Sequence, residues 1–247
     1  MSAYLGFTLY APLGSFGALA VGERRESWDR PAKSAVLGLM GAALGLDRAD
    51  QEAQAALAAG YGYAVRTDEP GKPLADYHTA QVPPRRRGFP TRRDELASGK
   101  LETILSRRDY RTEALHTAVL WARAGAPMTL EAISMALREP SFVLYLGRKS
   151  CPLGLPLAPR LVEADTIFAA FDAYDDAMSA PERALREELD LMPRSNAQIA
   201  ADLDAVVGGR GHEIQRQRRR DEFLDRRRWR FGLRDELILS PVRASSP

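Results

Sequence analysis

Apolar residues recur along the first part of the chain with two distinct spacings, and these spacings predict the elements of the fold. Four segments rich in aromatic and β-branched residues predict strands, at 4–12, 60–69, 112–124 and 155–165. Two segments with apolar residues three or four positions apart predict helices, at 34–46, with Ser34 as its N-cap, and at 129–140. The predicted order is strand, helix, strand, strand, helix, strand.

This order is typical of a ferredoxin-like α+β domain with βαβ-βαβ connectivity, which is also the order of RNA-recognition domains. Residues 70–110 interrupt it with a long, basic, proline-rich segment that has no sustained helical or strand period. Segments of this length inside a compact domain are usually functional or disordered. We therefore expect a domain over 1–165 with an extended arm inserted at about 76–110.

The remaining residues, 166–247, are predicted to form a small C-terminal extension. Residues 166–210 have the composition of an acidic helical segment. The stretch 228–242, "RWRFGLRDELILSPV", predicts strands or a hairpin that closes the chain.

Charge is distributed in blocks, although the net charge is only +2. The block 83–93 holds five Arg and no acid, and 210–230 holds nine Arg against four acids. Between them, 163–204 holds eleven Asp or Glu against three Arg. Blocks of one sign indicate interaction surfaces or solvated arms, and the basic blocks favour a polyanionic partner.

The composition also limits the class of protein. The single Cys151 excludes an internal disulfide, so a reducing cytoplasm is the expected location. No apolar run is long enough to span a bilayer, so we expect no membrane partner. The three His and one Cys are scattered, and nucleotide-binding fingerprints are missing from the sequence, so neither a metal nor a cofactor is expected.

The stretch "YLGRKSCPLGLPL" at 145–157 places two cations and a hydroxyl next to a glycine: Gly147, Arg148, Lys149 and Ser150. A glycine lets backbone N–H groups turn toward one point, and such a concavity binds anions. The N-terminus of the 34–46 helix, just after Arg30 and Lys33, is a second candidate anion site because its N–H groups are free. The alternative for the glycine stretch is an ordinary surface turn with solvated charges.

The stretch "DYHT" at 76–79 is the one credible acid/base group. A metal-free ribonuclease needs a base for the 2′-OH, an acid for the leaving oxygen and a cation for the phosphate. Tyr77, His78 and Lys149 have the chemistry for these three roles. The alternative is that His78, oriented by Asp76, fixes the root of the arm. His116 in its apolar strand is interpreted as a core histidine, and Cys151 as a small buried residue.

Six segments, in the right order, resemble the Cas-five-type RAMP proteins of type I-E CRISPR Cascade. "LYAPLGSFG" resembles the opening "L-x-GPLQSWG" of that family, and "RPAKSAVLGLMGAALGLDR" resembles its "PTKSGVIGLLAAALGI-x-R". "AVRTDEPG" with "DYHT", "LSRRDYRTEA", "YLGRKSCPLGLPL" and "RRDEFLDRRRWRFGLRDE" are similar to later segments of the family. The resemblance covers most of 4–160 and returns near the C-terminus.

The resemblance implies a non-catalytic RNA-binding subunit that caps the 5′ handle of the crRNA, since a separate endonuclease processes the crRNA in type I-E systems. It implies contacts with the Cascade backbone subunit (CasC) and the large subunit (CasA), and with target DNA only through the assembled complex. Relatives in type I-C systems cut their own pre-crRNA, so the alternative is a metal-independent endoribonuclease with Tyr77, His78 and Lys149 as its catalytic residues.

With this resemblance, the residues predicted to contact RNA are Arg24, Arg25, Arg30, Lys33, Ser34, His78, Arg107, Arg108, Tyr145, Gly147, Arg148, Lys149 and Ser150. The arm is expected to act as a thumb that reaches the backbone subunit through Arg85, Arg86, Arg87, Arg92 and Arg93.

Overall fold

The structure is a computed structural model that describes residues 1–17, 22–83, 89–97, 99, 101–194, 196–209, 211–225, 228 and 230–241. The helices in these residues are α1 (Lys33–Ala43), α2 (Gln51–Gly60), α3 (Arg92–Leu96), α4 (Leu130–Arg138), α5 (Ile167–Asp176) and α6 (Ala180–Glu188). The strands are β1 (Ser2–Gly14), β2 (Phe16–Gly17), β3 (Arg24–Arg25), β4 (Ser27–Trp28), β5 (Tyr61–Glu69), β6 (Lys72–Val82), β7 (Glu102–Ala122), β8 (Arg160–Ala164), β9 (Ile199–Ala201), β10 (Gly211–Asp225) and β11 (Arg230–Pro241). The expected mixed α+β fold is confirmed. Of the helices in the described ranges, none is long and apolar enough to cross a membrane.

One large sheet forms the centre of the molecule. Among the described residues it has nine strands, with the order β10-β11-β9-β5-β7-β1-β8, and β3 and β6 add to β7. β1 pairs antiparallel with both β7 and β8, and β5 pairs antiparallel with β7. The second, third, first and fourth strands of the sequence prediction therefore lie side by side in that order.

Strand β1 places alternate side chains in two hydrophobic cores, because successive residues of a strand point to opposite faces. Leu5, Phe7 and Leu9 are fully buried in the larger core, together with residues of α1, α2 and α4. Tyr4 lies in the smaller core, where α5 contributes Phe171. Burying each large apolar side chain contributes about 1.5–3 kcal/mol, so helices on both faces hold the sheet in place.

The expected arm is an antiparallel ribbon of β6 and the first half of β7. The two strands pair without interruption from Lys72 to Val82, and most side chains of β6 are exposed. The ribbon leaves the sheet where Gly71 and Glu113 adopt φ angles of 67° and 53°. A Cβ atom at Gly71 would lie 2.2 Å from the carbonyl oxygen of Thr112, so only glycine fits this turn.

Two helical details differ from the sequence prediction. Ser34 lies inside α1 and is not its N-cap; the N-cap is Ala32, which offers no side-chain hydrogen bond. Helix α2 was not predicted, because its alanine-rich sequence has no clear apolar stripe. Its N-cap, Asp50, accepts a hydrogen bond from the backbone N–H of Ala53.

The C-terminal residues continue the same sheet. The acidic segment forms α5 and α6, as expected. The closing hairpin consists of β10 and β11, and it begins at Gly211 instead of 228 because the arginine run of β10 does not show a strand's alternating apolar pattern. β9 pairs with β5 on one edge and with β11 on the other, so it joins the hairpin to the rest of the sheet.

Candidate nucleic-acid interface

A groove of about 780 Å³ is lined by residues of four segments, of which the first, after β1, contributes Ser15, Gly17, Arg25 and Glu26. Helix α1 contributes small residues, which are Ala32, Ser34, Ala35, Gly38 and Ala42. The segment after α4 contributes Val143, Leu144, Tyr145, Gly147 and Arg148, and the C-terminal hairpin contributes Arg220, Leu224, Arg230 and Phe231. The groove therefore brings the start of α1 and the predicted glycine turn to one place.

Residues 147–150, which we call the glycine loop, form a fixed turn. Gly147 has a φ of 89°, and a Cβ atom there would lie 1.6 Å from the carbonyl oxygen of Ser15. The N–H of Ser15 donates to the carbonyl of Leu146 at 3.1 Å, and the N–H of Cys151 donates to that of Arg148 at 2.8 Å. The glycine thus allows close backbone packing that holds the loop against the end of β1.

Arg148 connects the glycine loop to the root of the arm. Its guanidinium donates to the carbonyl oxygens of Asp109 at 3.0 Å and Arg25 at 2.9 Å, and lies 4.5 Å from the centre of the Tyr110 ring. Lys149 beside it is exposed and, among the described residues, pairs with no carboxylate. The loop therefore presents one anchored cation and one that is available to an anion.

A patch of arginines lies next to Arg148. Strand β3 pairs parallel with β7, and this pairing aligns Arg24, Arg25, Arg107 and Arg108. The Nε and Nη2 atoms of Arg24 bind Oδ2 of Asp109 at 3.0 and 2.8 Å, with Glu26 farther away at 3.4 Å. These carboxylates offset only part of the positive charge, so the patch attracts an anion such as a phosphate.

His78 lies on β6 about midway along the arm, opposite Ser106, and not at the root where it was predicted. Its Nε2 atom is 3.0 Å from Oδ2 of Asp76 and 3.3 Å from the hydroxyl of Tyr110. Tyr77, which precedes His78 on the strand, is 62% exposed and points to the opposite face. Tyr110, and not the Tyr77 of the alternative catalytic set, therefore lies at His78. The contact between Asp76 and His78 is present, and the role of this pair stays a prediction.

The start of α1 is not the open anion site that the sequence predicted. The backbone N–H of Lys33 donates to Oδ2 of Asp221 at 2.9 Å. The Lys33 ammonium is buried against Asp202 at 2.6 Å, and Arg30 is buried against Glu236 at 2.5 Å. Carboxylates from distant parts of the chain thus occupy the positions that a phosphate would need. Ser34 remains at the groove.

These contacts belong to a buried ion network that sequence reasoning missed. Arg234 is its centre and binds Asp202, Asp221 and Glu236 at 2.8 to 2.9 Å. Burial lowers the pKa of Lys33, and the neighbouring Asp202 only partly opposes this effect. The network members are Arg30, Lys33, Arg123, Asp202, Asp221, Arg234 and Glu236. More than 160 positions separate Lys33 from its carboxylates, so no local pattern could have indicated the pairing.

The predicted thumb arginines are only partly described. Arg85, Arg86 and Arg87 lie outside the described residues. Arg92 begins α3 and binds Glu95 at 2.6 Å and the carbonyl oxygen of Gln81. Arg93 is exposed on the same helix.

Other predicted residues also have clear positions. His116 and Cys151 are fully buried, as expected. Tyr145 is 42% exposed and lines the groove. Groups of three or more His, Cys, Asp or Glu suited to a metal ion are not found among the described residues. The sequence analysis did not single out Arg220, Arg230 or Phe231 as part of the site, because only the docking of the hairpin brings them to the groove.

Comparison with known proteins gives independent evidence of ancestry. The family model described as "CRISPR-associated protein (Cas_Cas5)" matches residues 4–235. The chain is 33% identical over 165 residues to the "CRISPR system Cascade subunit CasD" of Escherichia coli (strain K12), covering 64% of this chain and 70% of that protein.

Solved structures support the fold. A chain of a "CRISPR RNA-guided surveillance complex" aligns with a TM-score of 0.64 and 22% identity, covering 98% of this chain and 91% of that one. A "Crystal structure of Cas protein" aligns with a TM-score of 0.58 and 24% identity, covering 96% and 95% of the two chains. Since the family model covers nearly the whole chain, the protein belongs to the Cas5 family of CRISPR-associated proteins.

Proposed function

We propose that this protein is a non-catalytic RNA-binding subunit of a type I-E Cascade complex, in which it caps the 5′ handle of the crRNA. Its likeness to the Cascade subunit CasD supports this assignment. The observation that carries it is the groove, because the fixed glycine loop meets Arg25 of the arginine patch there. Such a combination suits a bent single strand, whose phosphates and bases need cations and apolar surface together.

The geometry changes which cations we assign to the RNA. Arg30 and Lys33 are buried with carboxylates, so they position the start of α1 instead of contacting phosphate. Arg25 and Lys149 are exposed, and Arg148 is half-buried beside them. Arginine and lysine at such positions bind phosphate without reading sequence, and each contact adds to the salt dependence of binding.

We propose that the four strands β5, β7, β1 and β8, with the helices that connect them, form a ferredoxin-like unit. Their order in the sheet and their antiparallel pairing support this assignment. In this proposal the arm contacts the backbone subunit (CasC), and the complex also brings the protein to the large subunit (CasA) and, indirectly, to target DNA. The single cysteine favours the reducing cytoplasm as the place of action.

The test is binding of labelled CRISPR repeat RNA to the purified protein in EDTA, across a range of salt concentrations. We expect binding without cleavage. Lys149→Ala should weaken binding and lower the slope of log K against log salt by about 0.7, the value for one phosphate contact on a single strand. Lys72→Ala, at the exposed start of β6, is the matched control. Unchanged affinity and slope in Lys149→Ala would remove the glycine loop from the site.

A second function has one specific observation in its favour. His78 contacts both Asp76 and the Tyr110 hydroxyl, and the Arg148 guanidinium lies against the Tyr110 ring. A histidine, a tyrosine and a cation are the groups that a metal-independent endoribonuclease would use. If the wild type cuts repeat RNA in EDTA and His78→Ala binds without cutting, this second function is correct and the scaffold proposal is wrong.

A further inference from the structure

We propose that the C-terminal hairpin supplies part of the RNA site, with Arg220 and Arg230 contacting phosphates of the strand in the groove. This inference rests on the proposed RNA-binding function and extends it to two residues that were not among the predicted RNA contacts. Both residues line the groove together with Arg25 and Arg148. Among the described residues, four arginines and a single carboxylate, Glu26, therefore line it, which is the charge balance that a polyanion requires.

Arg220 and Arg230 are free to bind an anion, unlike their neighbours. Both are exposed, and within the described part of the chain neither pairs with a carboxylate. The Nη1 atom of Arg220 donates to the carbonyl oxygen of Phe231 at 3.2 Å. Two other arginines of the hairpin region are paired: Arg218 lies 3.2 Å from Asp235, and Arg228 lies 3.8 Å from Asp225.

The residues on both sides of Arg220 are anchored to the start of α1. Arg219 is buried and donates to the carbonyl oxygens of Arg30 at 2.8 Å and Pro31 at 3.1 Å. Asp221 is buried and accepts from the N–H of Lys33. Arg220 is thus held at the groove before any ligand arrives, and such preorganisation lowers the entropic cost of binding.

The hairpin also offers apolar surface beside these cations. Leu224 and Phe231 line the groove, and Leu224 is 54% exposed. Single-stranded nucleic acids bind where a positively charged groove follows the backbone and apolar or aromatic side chains contact the bases. The chemistry of the hairpin therefore matches a single strand better than an isolated small anion such as free phosphate.

The experiment measures binding of the same labelled CRISPR repeat RNA to the purified protein in EDTA across a range of salt concentrations. The variant Arg220→Gln with Arg230→Gln is compared with the wild type and with Arg218→Gln with Arg228→Gln. Both variants lose two positive charges from the hairpin, but only the first loses charges from the groove. Thermal unfolding of each variant checks that the fold is retained.

We expect the groove variant to lower the salt slope by about 1.4, or about 0.7 per contact, while the control changes little. Between about 50 and 200 mM salt, the affinity of the wild type should then fall about sevenfold more than that of the groove variant. Equal effects of both variants would mean that overall charge matters and the groove does not, which overturns the inference. No effect of either variant also overturns it, while RNA binding and the proposed function remain. A wild type that fails to bind RNA overturns both.

Discussion

At the scale of single residues, one missing side chain sets the geometry of the candidate site. Gly147 packs directly on the backbone of Ser15, and the glycine loop owes its position to this contact. We expect Gly147→Ala to lower the free energy of unfolding by at least about 3 kcal/mol, because the left-handed φ and the overlap with Ser15 both oppose a Cβ atom. It should also weaken RNA binding, since Arg148 and Lys149 move with the loop.

Gly125→Ala separates the two effects. Gly125 has a φ of 80°, but no atom lies within 4 Å of the position of its Cβ. Gly125→Ala should therefore lower the free energy of unfolding only by the cost of the left-handed conformation, about 1–2 kcal/mol. Urea unfolding of both variants gives the comparison. Equal losses would show that the contact with Ser15 does not hold the loop.

His116 should make stability depend on pH. It is fully buried, its Nε2 atom lies 3.0 Å from the carbonyl oxygen of Asp29, and burial lowers its pKa to about 4. The unfolded chain binds a proton near pH 6.5, so the stabilisation is complete above that pH and is lost as the pH falls toward 4. Between pH 7 and 5 this residue should account for a loss of about 2 kcal/mol.

His116→Gln provides the comparison, because glutamine does not titrate and its amide can donate to the same carbonyl oxygen. Urea unfolding at pH 7 and pH 5 should show a smaller loss of stability for this variant than for the wild type. The difference between the two proteins isolates His116 from the other titrating groups. An identical pH dependence would mean that His116 takes up its proton at the same pH in the folded and the unfolded protein.

At the scale of the elements, regular apolar periods predicted the fold well. The strands at 4–12 and 60–69 correspond to β1 and β5, and the helix at 129–140 corresponds to α4. The predictions missed elements, or placed their ends wrongly, where charged residues or alanines leave no clear apolar period in the sequence. Helix α2 has too few large apolar residues. β10 is mostly polar, and it contacts the start of α1 through hydrogen bonds of Arg219 and Asp221.

The arm can be shortened without changing the pairing of its strands, because its register is regular. A shortened arm tests whether the arm is needed for assembly but not for RNA binding. Val82 pairs with Glu102, so an Asn-Gly turn in place of 83–101 should close the shortened hairpin. We expect Tm to change by less than about 3 °C, which corresponds to roughly 1 kcal/mol, and RNA binding to persist. Assembly with the backbone subunit should be weakened, as measured by co-purification.

A second variant distinguishes the shape of the arm from its charge. Arg92→Gln with Arg93→Gln keeps the arm and removes two of its cations. If assembly depends on charge, this variant should lose part of what the truncation loses. Normal assembly of the truncated protein would show that the arm is not the contact with the backbone subunit.

At the scale of the whole molecule, carboxylates of the acidic block pair inside the fold with cations from distant parts of the chain. Asp202 lies near the end of the acidic block and pairs with Lys33, Arg123 and Arg234. Arg30 pairs in the same way with the distant Glu236. Because these partners are far away in sequence, Arg30 and Lys33 could be recognised as cations near a helix start but not as buried ones. The sequence shows the charge of a residue, whereas the partner that compensates it is set only by the docking of the hairpin.

Arg234→Met tests whether the ion network holds the hairpin to the groove. Arg234 is the shared partner of three buried carboxylates, and removing one partner of a buried pair typically costs about 3–5 kcal/mol because charge is left uncompensated. We expect a loss of this size in urea unfolding at pH 7. Backbone amides of β10 should also exchange faster with solvent, and RNA binding should weaken because the groove loses one side.

Arg218→Met is the matched control for this variant, because Arg218 binds Asp235 on the exposed surface of the same hairpin. Exposed pairs are worth about 0–1 kcal/mol, so its stability and its RNA affinity should stay close to those of the wild type.

The loss of unfolding free energy caused by Arg234→Met should become smaller as the pH falls. Arg30 and Arg234 hold the pKa of Glu236 below its usual value although burial opposes this, and a carboxylate that has lost its cation takes up a proton more readily. If Arg234→Met lowers the free energy of unfolding only slightly, or by the same amount at every pH, apolar contacts hold the hairpin in place and the ion network contributes little to its stability.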